Sequence, residues 1–311
     1  MNATLARLRV ATWLGWQVDS NWADPVLFVI YVVARPLAVS LILVAMYWAV
    51  SGQALHSAAF AGFFVANAFH SYVNTVVVDL GWVVFSEREE YETLKYVYAS
   101  PIGMPTFLLG RSVIKFGRGT VSVLLSLLLG WFALGVRWDW SAAQPWPLAL
   151  AIVLGLVATQ SGAMLMAGAC LVLTRAAMVV LEGAALVLYL LCGAMLMAGA
   201  CLVLTRAAIV VLDGVTLSLY LLCGVIFPVD LLPLPLRALS LLLPWTWWYE
   251  AIRRFLLGTT ASAALGTLTD AQLLGGLALS TAVFAVVAER LFRAFENRAR
   301  ALGRLDQTTM F

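Results

Sequence analysis

Charge is scarce in this chain. Only 11% of its 311 residues are Asp, Glu, Lys or Arg, against 63% hydrophobic. Soluble domains carry about 25% charged and about 45–50% apolar residues, so a soluble globular class is excluded. With a mean hydropathy of +0.96, the composition is that of a polytopic, all-α membrane protein. Histidine is scarcer still, with only His56 and His70, which leaves no His-rich metal centre and predicts no bound metal. The four cysteines, Cys170, Cys192, Cys201 and Cys223, lie inside apolar runs and read as buried free thiols. No GxxxxGK[ST] phosphate loop occurs, so this chain has no means of hydrolysing ATP. A net charge of +3 offers no basic face to nucleic acid. Spans and short loops take up nearly the whole length, no nucleophile–base constellation is apparent, and an enzyme is not expected.

What charge there is gathers at Ser86–Pro101, SEREEYETLKYVYASP, where Glu87, Arg88, Glu89, Glu90, Glu92 and Lys95 fall within nine residues. Ser86 and Glu89 have capping-box spacing, and acids crowd the first turn where the helix dipole favours them. Arg88 with Glu92, and Glu92 with Lys95, have the spacing of helical ion pairs. Tyr91, Leu94, Val97 and Tyr98 make a second, apolar face, and Pro101 forces Ser100 out of the helical region. The spacing therefore predicts an amphipathic helix of about three turns starting at Ser86. Spacing alone is equally satisfied by a solvated loop helix between two spans.

EREEYETLKYVYASPIGMPTFLLGR resembles the segment between the second and third spans of ABC-2 type permeases, the membrane subunits of ATP-driven exporters. The matching residues are Arg88, Glu89, Thr93, Leu94, Ser100, Pro101, Leu109, Gly110 and Arg111. In that family this segment holds the coupling helix, which seats in a groove of the ATPase subunit. The resemblance places the ATPase contact on Arg88, Glu89, Thr93, Leu94 and Tyr98. It also implies six spans, cytoplasmic termini, a second permease subunit, and ATP and magnesium bound by the partner and not by this chain.

In chain order, residues 1–25 read as an amphipathic helix lying in the membrane interface. Val26–Val50 is the first span, in which Arg35 either snorkels to the near surface or sits at a Pro36 kink facing a cavity. Ser57–Phe85 is a polar second span with Asn67, His70 and Asn74 at helical spacing, which reads as a pathway-lining face, a dimer seam or interhelical hydrogen bonding. Pro105 opens a third span whose Arg111, Lys115 and Arg118 make a basic stripe, predicted to sit at the cytoplasmic surface against anionic lipid headgroups. Phe227–Gly258 is broken by prolines. It resembles the family's re-entrant outer segment at Pro244, Tyr249, Glu250, Ala251 and Arg253. Asp270–Ala288 is the last span, the permease domain ends near residue 292, and a basic cytoplasmic tail occupies 293–311.

Gly162–Cys192 and Gly193–Cys223 are a tandem duplication differing at five of 31 positions. It leaves three apolar segments, Leu148–Leu173, Ala177–Leu204 and Ala208–Phe227, where the family pattern has two. If the middle one crosses once, the orientation of everything after it inverts, against the preference of the Arg-rich tail for the cytoplasm. A re-entrant segment, a displaced helix or a non-functional product would each resolve this, and the repeat itself reads as a recent in-frame duplication or an assembly artefact. Glu182 and Asp213, one per copy, are further candidates for a pathway or seam.

The expected function is a permease subunit in the cell membrane of a bacterium or archaeon, moving a hydrophobic drug, lipid or lipid-linked glycan outward. The alternative is a proton-coupled carrier working through Glu182, Asp213 or Asp79.

Overall fold

The computed structural model describes residues 3–20, 25–51, 57–135, 143–172 and 207–303. Among these residues the fold is entirely helical. Helix α1 (Ala3–Ser20) precedes α2 (Pro25–Ser51). α3 (Ala58–Val73) runs through a π-helical turn, Asn74–Val78, into α4 (Asp79–Glu89). A short α5 (Leu94–Ala99) follows, then α6 (Met104–Phe132) and α7 (Pro145–Val172). After the repeat come α8 (Ala207–Leu222), α9 (Leu234–Leu242), α10 (Pro244–Leu257), α11 (Ala263–Gly266) and α12 (Asp270–Ala301).

Among the described residues, five helical stretches are long and apolar enough to cross a membrane: Val32–Ala49 within α2, Ala58–Arg88, Met104–Phe132, Pro145–Val172 and Asp270–Ala301. With 16 residues, α8 is about 24 Å long at 1.5 Å per residue, short of a hydrocarbon core of about 30 Å. The extra apolar segment expected at Ala177–Leu204, and Glu182 with it, lie outside the described residues.

The second span does not end at Phe85. The helix runs on to Glu89, and Ser86 sits inside it with its hydroxyl donating to Trp82 O at 3.0 Å. An interior serine satisfies itself by bonding back one turn, so the Ser86–Glu89 spacing marks no helix start and the predicted capping box does not form. α4 ends at Glu89, the chain turns through Glu92, whose φ of 51° is left-handed, and helix resumes as the six-residue α5. Ser100 is extended ahead of Pro101, with ψ of 155°, as the proline requires. The last span also outruns expectation: α12 continues without a break to Ala301, so the first part of the basic tail is helix.

α7 is the central post of the core. Its Gly155, Gly162 and Gly168 receive the rings of Trp248, Trp245 and Phe292, each so close that a Cβ has no room. The C-terminal end of α7 lies beside Arg88 of α4. The end of α8 lies at the opposite pole, where Arg253 of α10 binds Gly224 O and Val225 O. α1 packs on α6 through small residues, with Ala11 against Gly110, and leaves Leu5, Trp13 and Trp16 more than half exposed.

Candidate functional site

The polar bracket between α4 and α6 has a buried foot and an exposed rim. Glu87, Arg88 and Leu94 form the foot, at 6%, 4% and 1% exposure. Arg88 does not reach Glu92: its guanidinium turns inward and donates to Cys170 O at 2.9 Å and Leu171 O at 3.4 Å. The two backbone carbonyls give the buried cation its hydrogen-bond acceptors. Glu87 accepts a short hydrogen bond from the Thr93 hydroxyl, and Thr93 N donates to Glu87 O at 2.8 Å. That closes the turn around the strained Glu92. The rim is Tyr91 and Tyr96, 57% and 66% exposed, with the Lys95 ammonium 5.6 Å from the Tyr96 ring centre.

The site residues read from the sequence thus divide. Arg88, Thr93 and Leu94 serve the foot, and a partner subunit docking on this chain would not meet Leu94. Glu89 is the last residue of α4, and its side chain lies outside the described residues. Tyr98 is half-buried and faces α12, where the Arg300 guanidinium lies 5.0 Å from its ring centre. Arg300 in turn donates to Glu296 at 2.8 Å. Burial, with the Glu296 carboxylate second, raises the Tyr98 phenol above its ordinary pKa and keeps it neutral. Between the rim and α1 opens a cavity of about 740 Å³ lined by Leu14, Gln17 and Val18 on one side and Tyr91, Tyr96 and Phe107 on the other.

The basic stripe of α6 does not face lipid headgroups. Each cation meets an acid from another helix: Arg111 lies 3.6 Å from Glu87, Lys115 2.5 Å from Asp19 of α1, and Arg118 pairs with Asp79 at the head of α4. The 4–3 spacing correctly marked one face, but low-dielectric surroundings reward a fixed counter-charge over a mobile headgroup. Asp19 and Glu87 carried no sequence signal for this role, because their partners lie 96 and 24 positions away.

In the second span, Asn67 and His70 are spent on bonds between helices. Asn67 accepts from the Tyr220 hydroxyl of α8 at 2.6 Å, and His70 Nδ1 lies 2.8 Å from the Tyr249 hydroxyl of α10. Asn74 opens the π-turn and faces a small recess of about 40 Å³, with Arg35, Pro36, Ser71 and Ser122 also on its wall. That volume exceeds the space one water molecule needs, about 10–15 Å³. Arg35 is half-buried beside Pro36, on the wall of this polar recess. Asp213 belongs to α8, but its side chain lies outside the described residues. Asp79, the third acid of the carrier reading, has Arg118 as its counter-ion.

At the far pole Arg253 donates to Gly62 O, Gly224 O and Val225 O and meets Glu250 at 3.4 Å. Glu250 accepts from Ala261 N at 2.8 Å and Ser262 N at 3.3 Å. The pair staples α3, the end of α8, α10 and the approach to α11. Among the described residues no cluster of His, Cys, Asp and Glu is arranged to hold a metal ion.

The sequence model of the ABC-2 type transporter family matches residues 7–198, more than half of the chain, from α1 into the second copy of the repeat. No curated protein matches it.

Proposed function

The chain belongs to the ABC-2 type transporter family, and from that premise we propose that it is driven by a separate ATPase subunit seated on the rim of the bracket. The chain itself is a multi-pass membrane permease subunit and not an enzyme. The observation that carries the proposal is the division of the bracket: a foot anchored on α7 and α6, and a rim of Tyr91, Lys95 and Tyr96 presented outward. A segment that must take up force and pass it on needs both. The cavity between rim and α1 gives an inserted element of the ATPase a place to sit.

Sidedness supports the same reading. Arg88, Lys95, Arg111 and the α12 residues Arg298 and Arg300 all lie towards one pole, which the positive-inside rule assigns to the cytoplasm. The end of α7 lies at that pole and the end of α8 at the other. On this reading the chain enters α8 from the cytoplasmic side, orientation is kept, and α8 takes the fifth place in the family's six-span order although its 16 described residues are short of the hydrocarbon thickness. Two copies pair, and ATP-driven closure of their ATPases switches the cavity between them. The cargo moves outward and is a hydrophobic drug, a lipid or a lipid-linked glycan. The host membrane is the cell membrane of a bacterium or archaeon.

Affinity purification from native membranes tests the contact. Wild type should bring down a protein that carries a phosphate-binding loop and hydrolyses ATP. Tyr96→Asp should lose it while keeping its own yield and monodispersity. Equal recovery of the ATPase by Tyr96→Asp and wild type would remove the rim from the contact.

A further inference from the structure

Resting on that reading, we infer that the bracket drives α7 and α12 directly, through two contacts, Arg88 on the carbonyl end of α7 and Tyr98 against the Arg300–Glu296 pair of α12. The segment is covalently joined to α4 and α6, and chain connectivity alone would hand any displacement to those two helices. The side chains tell a different story. Arg88 is 4% exposed and donates to Cys170 O and Leu171 O, so a foot that moved without α7 would break two hydrogen bonds to a buried charge. On the other side of the bracket, the Arg300 guanidinium lies 5.0 Å from the Tyr98 ring centre. Glu296, 8% exposed, fixes that guanidinium with a 2.8 Å hydrogen bond.

The two receiving helices behave as one body. α7 and α12 form the most extensive helix pair among the described elements, with Gly168 of α7 seated against Phe292 and Phe295 of α12. A push delivered at both contacts therefore moves the pair as a unit relative to α6. Tyr98, Glu296 and Arg300 are positioning residues for the stroke and touch no cargo.

The test uses the permease with its co-purified ATPase in lipid vesicles, with the native cysteines replaced by alanine. Spin labels are placed at two pairs of exposed positions. Ala99→Cys, at an exposed α5 position outside the rim, with Val113→Cys reports the bracket against α6, and Val113→Cys with Leu302→Cys reports α12 against α6. Distances are read without nucleotide and with ATP plus vanadate. In wild type both distances should shift. In Tyr98→Ala and Arg300→Ala the bracket distance should still shift while the α12 shift falls clearly below that of wild type, the Arg88 contact on α7 being left to drive the pair alone, with ATP hydrolysis retained, and Tyr98→Phe, which keeps the ring, should behave as wild type. Arg300 is largely exposed, so its variant remains informative should Tyr98→Ala fail to fold. An α12 shift equal to wild type in Arg300→Ala would reduce the contact to packing and overturn the inference. A wild type in which neither distance responds to nucleotide would instead defeat the motor reading on which it rests.

Discussion

Single residues carry the fixed points of this molecule, and most of them are charges placed where water is absent. Arg253 is the clearest, because its planar fork meets three carbonyls and a carboxylate at once. Arg253→Ala removes the counter-charge of the buried Glu250 and leaves three carbonyls without their donor, and should cost about 3–5 kcal/mol, read as a lower melting temperature in detergent. Arg253→Lys should rescue little of it, since a point charge cannot span that fork. Gly155 makes a packing claim of the same weight. A Cβ there would overlap the buried Trp248 ring, so Gly155→Ala should destabilise by about 1–3 kcal/mol, the usual cost of overpacking. Leu94 was expected at the partner contact, yet at 1% exposure it belongs to the core. Leu94→Asp should thus fail in folding, by burying an unpaired charge, and should not uncouple an intact protein selectively.

At the scale of elements, sequence period and sequence punctuation differed in what they could reveal. Long apolar runs marked the spans, and Pro101 and Pro105 correctly marked a stop and a start, because proline acts on its own neighbours whatever the tertiary context. The Ser86–Glu89 spacing misled because a serine satisfies its hydroxyl equally well at a cap and inside a helix, and only the preceding turn decides. The stripe on α6 was legible as a face but not as a seam, since its acids come from α1 and α4. That seam is testable: Lys115→Asp should weaken α1 docking, measured as faster proteolysis or hydrogen exchange across residues 3–20. Combining it with Asp19→Lys should restore protection, because the pair sits at 2.5 Å with both side chains largely buried.

At the scale of the whole molecule, the two copies of the duplicated sequence each contribute to a described helix. α7 takes Gly162–Val172 from the first copy and α8 takes Ala207–Leu222 from the second. Deleting residues 176–206 joins Arg175 to Ala207 and recreates the Thr-Arg-Ala-Ala junction that both copies contain. The shortened chain should insert, stay monodisperse and recover its ATPase as well as the full chain does. Loss of insertion on deletion would give the duplication a structural duty. The parity problem read from the sequence followed from counting apolar segments, and counting cannot show which pole each helix end occupies. Contacts can, and they put the bracket, the end of α7 and the basic end of α12 together. A membrane-impermeant thiol reagent applied to intact cells tests that arrangement most directly, with Lys95→Cys on the bracket compared against Leu234→Cys at the opposite pole. The account predicts labelling of position 234 alone until the cells are permeabilised. Labelling of position 95 from outside would place the bracket beyond the reach of any ATPase and contradict it.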